Sequence, residues 1–186
     1  REKGIALEAV HIPAWKNVPI RDYLEKNFAL PVEVEESSRA IALGELWFGN
    51  GLQSHDFISI DLGYGIGVGI ISNGKLHYGV SETAGEIGHT TVKPDGLVCR
   101  CGKRGCLETI VSGEAIARLT NYATAKDAAE AAMNDENLKQ VFTQAGNYLG
   151  IAVSNLINLL NPGKLILSGG LCNAGELLLG PFAESL

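Results

Sequence analysis

The sequence predicts an α/β fold, and three observations predict it. Apolar, β-branched runs such as those within 56–62 and 66–72 read as strands. A segment near 135–160 repeats its apolar residues at helical spacing. Turn residues, Asn73-Gly74 and Asn161-Pro162-Gly163 among them, separate the runs. Strands interleaved with long helices define the class.

The elements follow in order. Ile5 to Val10 reads as a strand, and an extended stretch with Pro13, Trp15 and Pro19 comes next. A short helix is expected from Ile20 to Phe28. Pro31 to Glu35 alternates apolar and acidic residues, the period of a half-buried strand. Ser37 or Ser38 is expected to cap a helix that runs to Phe48 through Ile41, Leu43, Leu46 and Trp47. Gly49-Asn50-Gly51 ends it and marks a lobe boundary, giving 1–48 and 49–186. Strands are expected over Asp56–Leu62, Ile66–Ser72 and Lys75–Gly79, the last two joined by Asn73-Gly74, which both tolerate positive φ. A cysteine-rich excursion fills 89–108. Helices are expected over Gly113–Tyr122 and Ala125–Met133, the second opened by a Thr124 to Asp127 capping box. The long helix spans Asp135–Leu160, and Lys164 to Ser168 is a buried strand ending at Gly169-Gly170.

Composition narrows the class of function. Of 186 residues, 46% are hydrophobic and 19% charged, enough apolar material for a core and too much for a disordered chain. The net charge of −6 disfavours a broad grip on phosphate backbones by these residues alone. No apolar run reaches the length of a membrane span, and a cytoplasmic location is expected. The chain starts at Arg1 and its single Met is Met133, so it reads as an interior slice of a longer protein.

Cys99, Cys101 and Cys106, with His89 ten positions before Cys99, supply three thiolates and an imidazole. Zinc favours four such ligands in a closed tetrahedron, and Gly102 and Gly105 let the chain fold back around it. Such a site has no open position, so its role is structural, contributing ~10 kcal/mol locally. The alternative is free cysteines or one disulfide, although Cys99 and Cys101 are too close for an ordinary mutual bridge. Cys172 stands apart as a small core hydrophobe. Alternating glycines in Asp61-Leu62-Gly63-Tyr64-Gly65-Ile66-Gly67-Val68-Gly69 could admit a phosphate or simply turn the chain.

Taken together, Gly85-Glu86-Ile87-Gly88-His89, the run from Cys99 to Glu108, the Leu62 to Gly69 turn, Pro31 to Glu35 and Asn161-Pro162 to Gly170 resemble the ROK family of repressors and sugar kinases. The resemblance implies an actin-like sugar-kinase (ribonuclease H-like) fold of two α/β lobes with a sugar in the cleft. It implies a chain cut at both ends, with the first phosphate hairpin outside it and, in repressors, a DNA-binding winged helix. It also implies that Glu36, Glu86, His89 and Glu108 face the sugar, His89 linking it to zinc, and that Gly63, Tyr64, Gly65 and Gly67 form the phosphate turn. Solvated surface acids are the alternative for Glu86 and Glu108.

This chain departs from the family's kinases at two places. Their acidic strand ends in Glu-Asn-Asp with the Asp as base, whereas here the residues are Glu35-Glu36-Ser37. Serine has no basic form near neutral pH, and loss of a general base lowers rates about 10²- to 10⁴-fold. Tyr64 stands where kinases carry a small Thr. The expectation is a sugar- or sugar-phosphate-sensing region of a ROK-type transcriptional regulator, inactive as a kinase, with zinc and without ATP. It would form a homodimer or larger assembly and meet DNA only through a domain outside this chain. The alternative is an ATP-dependent sugar kinase of the glucose, fructose and N-acetylhexosamine class, with Glu36 as an unorthodox base. Glu36 in place of the family's Asn, and His11 in place of another Asn, leave the sugar open.

Overall fold

The structure is a computed structural model and describes residues 4–8, 12 and 14–186. Strand β1 (Ala6–Glu8) pairs antiparallel with β2 (Lys16–Val18), Ala6 lying opposite Val18. The β2 strand falls where only an extended stretch was expected, because three residues are too few to display a period. The end of the first expected strand, with His11 and Pro13, lies outside the described residues. Helix α1 (Ile20–Phe28) has the expected bounds and stops at Ala29, whose φ of 53° is left-handed.

The expected strand at Pro31–Glu35 is not one. Val32 and Val34 are half-buried and Pro31 and Glu33 exposed, so the alternation is real as far as Val34, but Glu35 is half-buried as well. No strand lies alongside among the described residues, and α1 supplies the partners instead. Arg21 Nε donates to the Val32 carbonyl at 2.9 Å, and the Val32 amide donates to Glu25 Oε1 at 3.1 Å. Helix α2 (Ser37–Phe48) follows, capped by Glu36 rather than by either serine.

A four-stranded sheet of order β5-β4-β3-β6 forms the centre, built from β3 (Phe57–Leu62), β4 (Ile66–Ser72), β5 (Lys75–Leu76) and β6 (Lys164–Ser168). β3 is antiparallel to β4 and parallel to β6. Asn73 and Gly74 take φ of 51° and 70°, as the two-residue hairpin requires. β5 stops short of Gly79, whose φ of 72° turns the chain out of the ladder.

The crossover from β5 to β6 carries α3 (Glu108–Val111), α4 (Gly113–Thr120), α5 (Ala125–Ala132) and α6 (Glu136–Leu160). Thr124 Oγ1 accepts from the Asp127 amide at 3.1 Å, and Asp135 caps α6. Helix α7 (Glu176–Glu184), which the sequence reading did not foresee, lies against α6. Its Leu177-Leu178-Leu179 run lacks helical period and Pro181 sits inside it, whereas Gly146 and Gly150 on α6 leave room for its backbone.

β3 is buried on both faces, which explains its composition. Ile58, Ile60 and Leu62 join Leu107, Val111, Phe142, Leu149, Val153 and Leu178 on one side. Phe57, with Ile71 and Ile166, meets Ala42 of α2 on the other. Close approach of α2 needs Gly67 and Gly69, since a Cβ at Gly67 would lie 2.5 Å from that of Ser38. Helices thus cover both faces, and the C-terminal ends of the parallel pair β3 and β6 meet at Asp61 and Ser168, where ligands of α/β sheets bind. No helix of the described residues is long and apolar enough to cross a membrane.

Candidate metal centre and ligand cleft

His89 ends a single turn of 3₁₀ helix, and the loop from 90 to 107 folds back onto it through bridges of Thr91 with Cys106 and Val98 with Arg104. Gly102 and Gly105 take the positive φ values of 88° and 67° that this reversal demands. Four ligand atoms, one each from His89, Cys99, Cys101 and Cys106, then lie within 4.8 Å of one another. Cys99 Sγ is 3.4 Å from His89 Nδ1, and Cys101 Sγ is 3.6 Å from Cys106 Sγ. A tetrahedral thiolate site with metal–sulfur bonds of about 2.3 Å has edges of about 3.8 Å, so these four residues fit a bound metal ion. Burial and the neighbouring thiols push Cys106 up to about 12, while a backbone hydrogen bond from Lys103 brings the exposed Cys101 thiol down. A cation among them would resolve that contrast by stabilising thiolates. Lys103 Nζ donates to the His89 carbonyl at 3.0 Å and closes the loop.

The other imidazole nitrogen, His89 Nε2, points toward Glu86, 4.0 Å from its carboxylate. Glu86 is more than half exposed and available to a ligand. Glu108 is placed differently. It is buried, with Arg100 Nη2 2.7 Å from Oε1 and the Ile66 amide donating to Oε2 at 3.3 Å. Arg100, flanked by two of the cluster's cysteines, holds this carboxylate against the glycine turn. Gly65 leaves the necessary space, since a Cβ there would sit 2.9 Å from Glu108 Oε2.

At the acidic end of 31–36, Glu36 is consumed as a helix cap. Its carboxylate accepts from the Ser38 amide at 3.0 Å, the Arg39 amide at 3.1 Å, the Ser37 hydroxyl at 3.0 Å and the Ser38 hydroxyl. Burial opposes its ionisation, but these four donors together hold it below the usual carboxylate range. Ser37 Oγ thus points at a carboxylate as a donor. Asp61, at the end of β3, behaves oppositely: burial and then the charge of Glu36 raise it. A Cβ at Gly169 would lie 2.5 Å from Asp61 Oδ1, so a glycine turn frames the carboxylate. Asp61 was named in the sequence only as the start of the glycine run.

The turn itself is partly occupied. The Gly63 amide donates to the Gly65 carbonyl, and the Ile66 amide to Glu108. The carbonyls of Gly63 and Tyr64 receive the Gly113 and Glu114 amides at the start of α4. Tyr64 projects outward, its phenol pushed up by desolvation and by Glu114. It stands between two cavities. One, of about 670 Å³, is lined by Gly63 and Tyr64, by α4 and α5, and by Gly170, Asn173 and Leu177. The other, of about 310 Å³, lies among Tyr64, Arg100, Glu108, Ser112, Glu114 and Arg118. Neither was legible beforehand, because their walls come from four separate stretches of sequence. The metal-type residues therefore cluster with Glu86. Among the described residues, no hydrogen bond or ion pair joins Glu36 or Glu108 to that group.

Comparison with known proteins fits this layout. A glucokinase from Halalkalibacterium halodurans is 39% identical over 98% of this chain and 62% of its own length. A xylose repressor from Caldicellulosiruptor bescii is 32% identical over 99% of this chain and 51% of its own. Among solved structures, a ROK family glucokinase from Streptomyces griseus, in complex with glucose and AMPPNP, superposes with a TM-score of 0.84 at 34% identity, over 98% of this chain and 66% of that one. A ROK family transcriptional regulator superposes at 0.86 and 32% identity, over 99% and 50%. The chain thus spans half to two thirds of the length of these relatives, and the fold is the actin-like sugar-kinase α/β fold. With residues 1–185 matching the family model as well, the chain belongs to the ROK family.

Proposed function

We propose that this chain is the sugar-sensing, effector-binding region of a ROK-type transcriptional regulator and carries no phosphoryl-transfer chemistry. One observation supports it above the others: the acidic end of the 31–36 segment offers no base. Ser37 donates to Glu36, and Glu36, saturated by four donors and held below its ordinary range, is a weakened proton acceptor. Glu86 and His89 form the exposed sugar-facing edge in this reading, with Glu108 and Glu36 beside them. Zinc in the His89, Cys99, Cys101 and Cys106 cluster fixes the loop that carries them. A sugar biases the relative arrangement of two lobes, and DNA is met through sequence outside this chain. The protein is cytoplasmic and acts as a homodimer or larger assembly.

The cavity of about 670 Å³ beside the glycine turn, with the glucokinases among the relatives, favours a second reading, an ATP-dependent sugar kinase. Phosphoryl transfer from ATP, measured on the purified protein with glucose, fructose, mannose, xylose and N-acetylglucosamine, separates the two. The regulator reading expects sugar binding with background turnover. Robust turnover abolished by Glu36→Gln overturns it.

A further inference from the structure

The cavity of about 310 Å³ is walled by groups of both charges. Arg100 and Arg118 bring guanidiniums, Glu108 and Glu114 carboxylates, and Tyr64, Thr109 and Ser112 hydroxyls. An anion there would face two carboxylates, and a cation two guanidiniums. A neutral molecule whose every group both donates and accepts meets neither penalty, and a polyol is that molecule. The wall is built rather than incidental. Glu108, Thr109 and Ser112 are each more than nine-tenths buried. Ser112 Oγ accepts from the Ala115 amide and has no acceptor for its own proton among the described residues. Arg100 pairs with Glu108, and Arg118 donates to the Thr109 carbonyl. A guanidinium carries five donors, so both retain several for a ligand. The Tyr64 ring adds an aromatic edge against which the C–H face of a sugar can pack.

We propose that this cavity is a subsite for a second sugar ring, adjoining the Glu86–His89 edge through Glu108, whose Cβ lies 3.5 Å from where a Cβ on Gly88 would stand, so that the ligand is a neutral disaccharide or longer glycoside rather than a monosaccharide. This rests on the sugar-binding reading given above. The volume, at the lower end of the small-molecule range of about 300–1,000 Å³, suits one added ring.

Calorimetric titration of the purified protein with glucose, maltose, cellobiose, sucrose, xylobiose and inorganic phosphate tests it. At least one disaccharide is expected to bind about tenfold or more tightly than glucose. Arg118→Ala and Glu114→Gln, checked for an unaltered thermal midpoint, are each expected to erase most of that preference. Arg118→Lys is expected to keep part of it, and Glu86→Gln to weaken glucose and disaccharide alike. A disaccharide preference near one, a preference that survives both substitutions, or displacement of the disaccharide by phosphate overturns the subsite. If glucose binds and Glu86→Gln weakens it while no disaccharide does better, the subsite alone fails. If the wild-type protein binds none of these sugars, the sugar-binding reading fails and the subsite with it.

Discussion

Glu36 takes a position for which two serines looked suited, and the chemistry at the start of α2 turns on it. A carboxylate offers two oxygens to the free amides at a helix start and gains from the helix dipole there, where a hydroxyl reaches one amide. Glu36→Ala is therefore expected to destabilise the protein by about 1 kcal/mol. The sign of its pH dependence follows from the lowered folded value: the contribution is present above the ordinary carboxylate range and fades as acid protonates the folded group. Chemical unfolding of wild type and variant from neutral pH into acid checks this, the difference shrinking as pH falls. Asp61 runs the other way. Its raised folded value favours the protonated form, so its contribution is lost as pH rises through that value. Asp61→Asn is expected to stabilise the protein at neutral pH and to leave it unchanged in strong acid, measured by the same unfolding series. The motif residues were legible here, but their partners were not. Spacing placed Glu108 in a cysteine motif without revealing Arg100 as its counter-ion, because side chains from a closed loop meet in ways the linear order does not encode.

At the scale of elements, long periodic segments read true and short or unpaired ones did not. The α6 helix carried seven turns of apolar spacing and capping signals at both ends, and its bounds followed within a residue. The 31–35 segment carried the period of a strand, but a strand also needs a ladder, and the α1 side chains supplied those hydrogen bonds instead. The α7 helix is held by tertiary packing on α6, which overrides Pro181 and a featureless leucine run. The seat of α2 on β4 gives a sharp test of such packing. A side chain at Gly69 would collide with Ala42, so Gly69→Ala is expected to cost about 1–3 kcal/mol through overpacking. Ala42→Gly alone should cost about 1 kcal/mol from helix propensity. Combined, the two should cost less than their sum, because the second removes the atom that the first strikes. A double-mutant cycle in denaturant measures the coupling.

For the whole molecule, the His–Cys cluster and the acidic end of 31–36 carry the proposed function. With a metal bound, the cluster would pin an otherwise irregular loop of 18 residues, 90–107, and its four candidate ligands were legible because their chemistry is specific and their spacing short. Exhaustive chelation is expected to lower the thermal midpoint by about 10 °C or more, at about 2–4 °C per kcal/mol for a chain of this size, and zinc alone should restore it. Metal analysis of protein purified without added zinc should return close to one equivalent. The cavities were not legible, since the larger arises only where the glycine turn, α4, α5 and the 170–177 segment converge, and the smaller where Tyr64 meets the 98–100 stretch, α3 and α4. The account stands most squarely on residue 37. The measurement that tests it is steady-state ATP-dependent phosphorylation by wild type and by the Glu36→Asn, Ser37→Asp double substitution, which installs the family's base. The account predicts background turnover for wild type and a gain of about 10²-fold or more for the variant; wild-type turnover equal to or faster than that of the variant would contradict it.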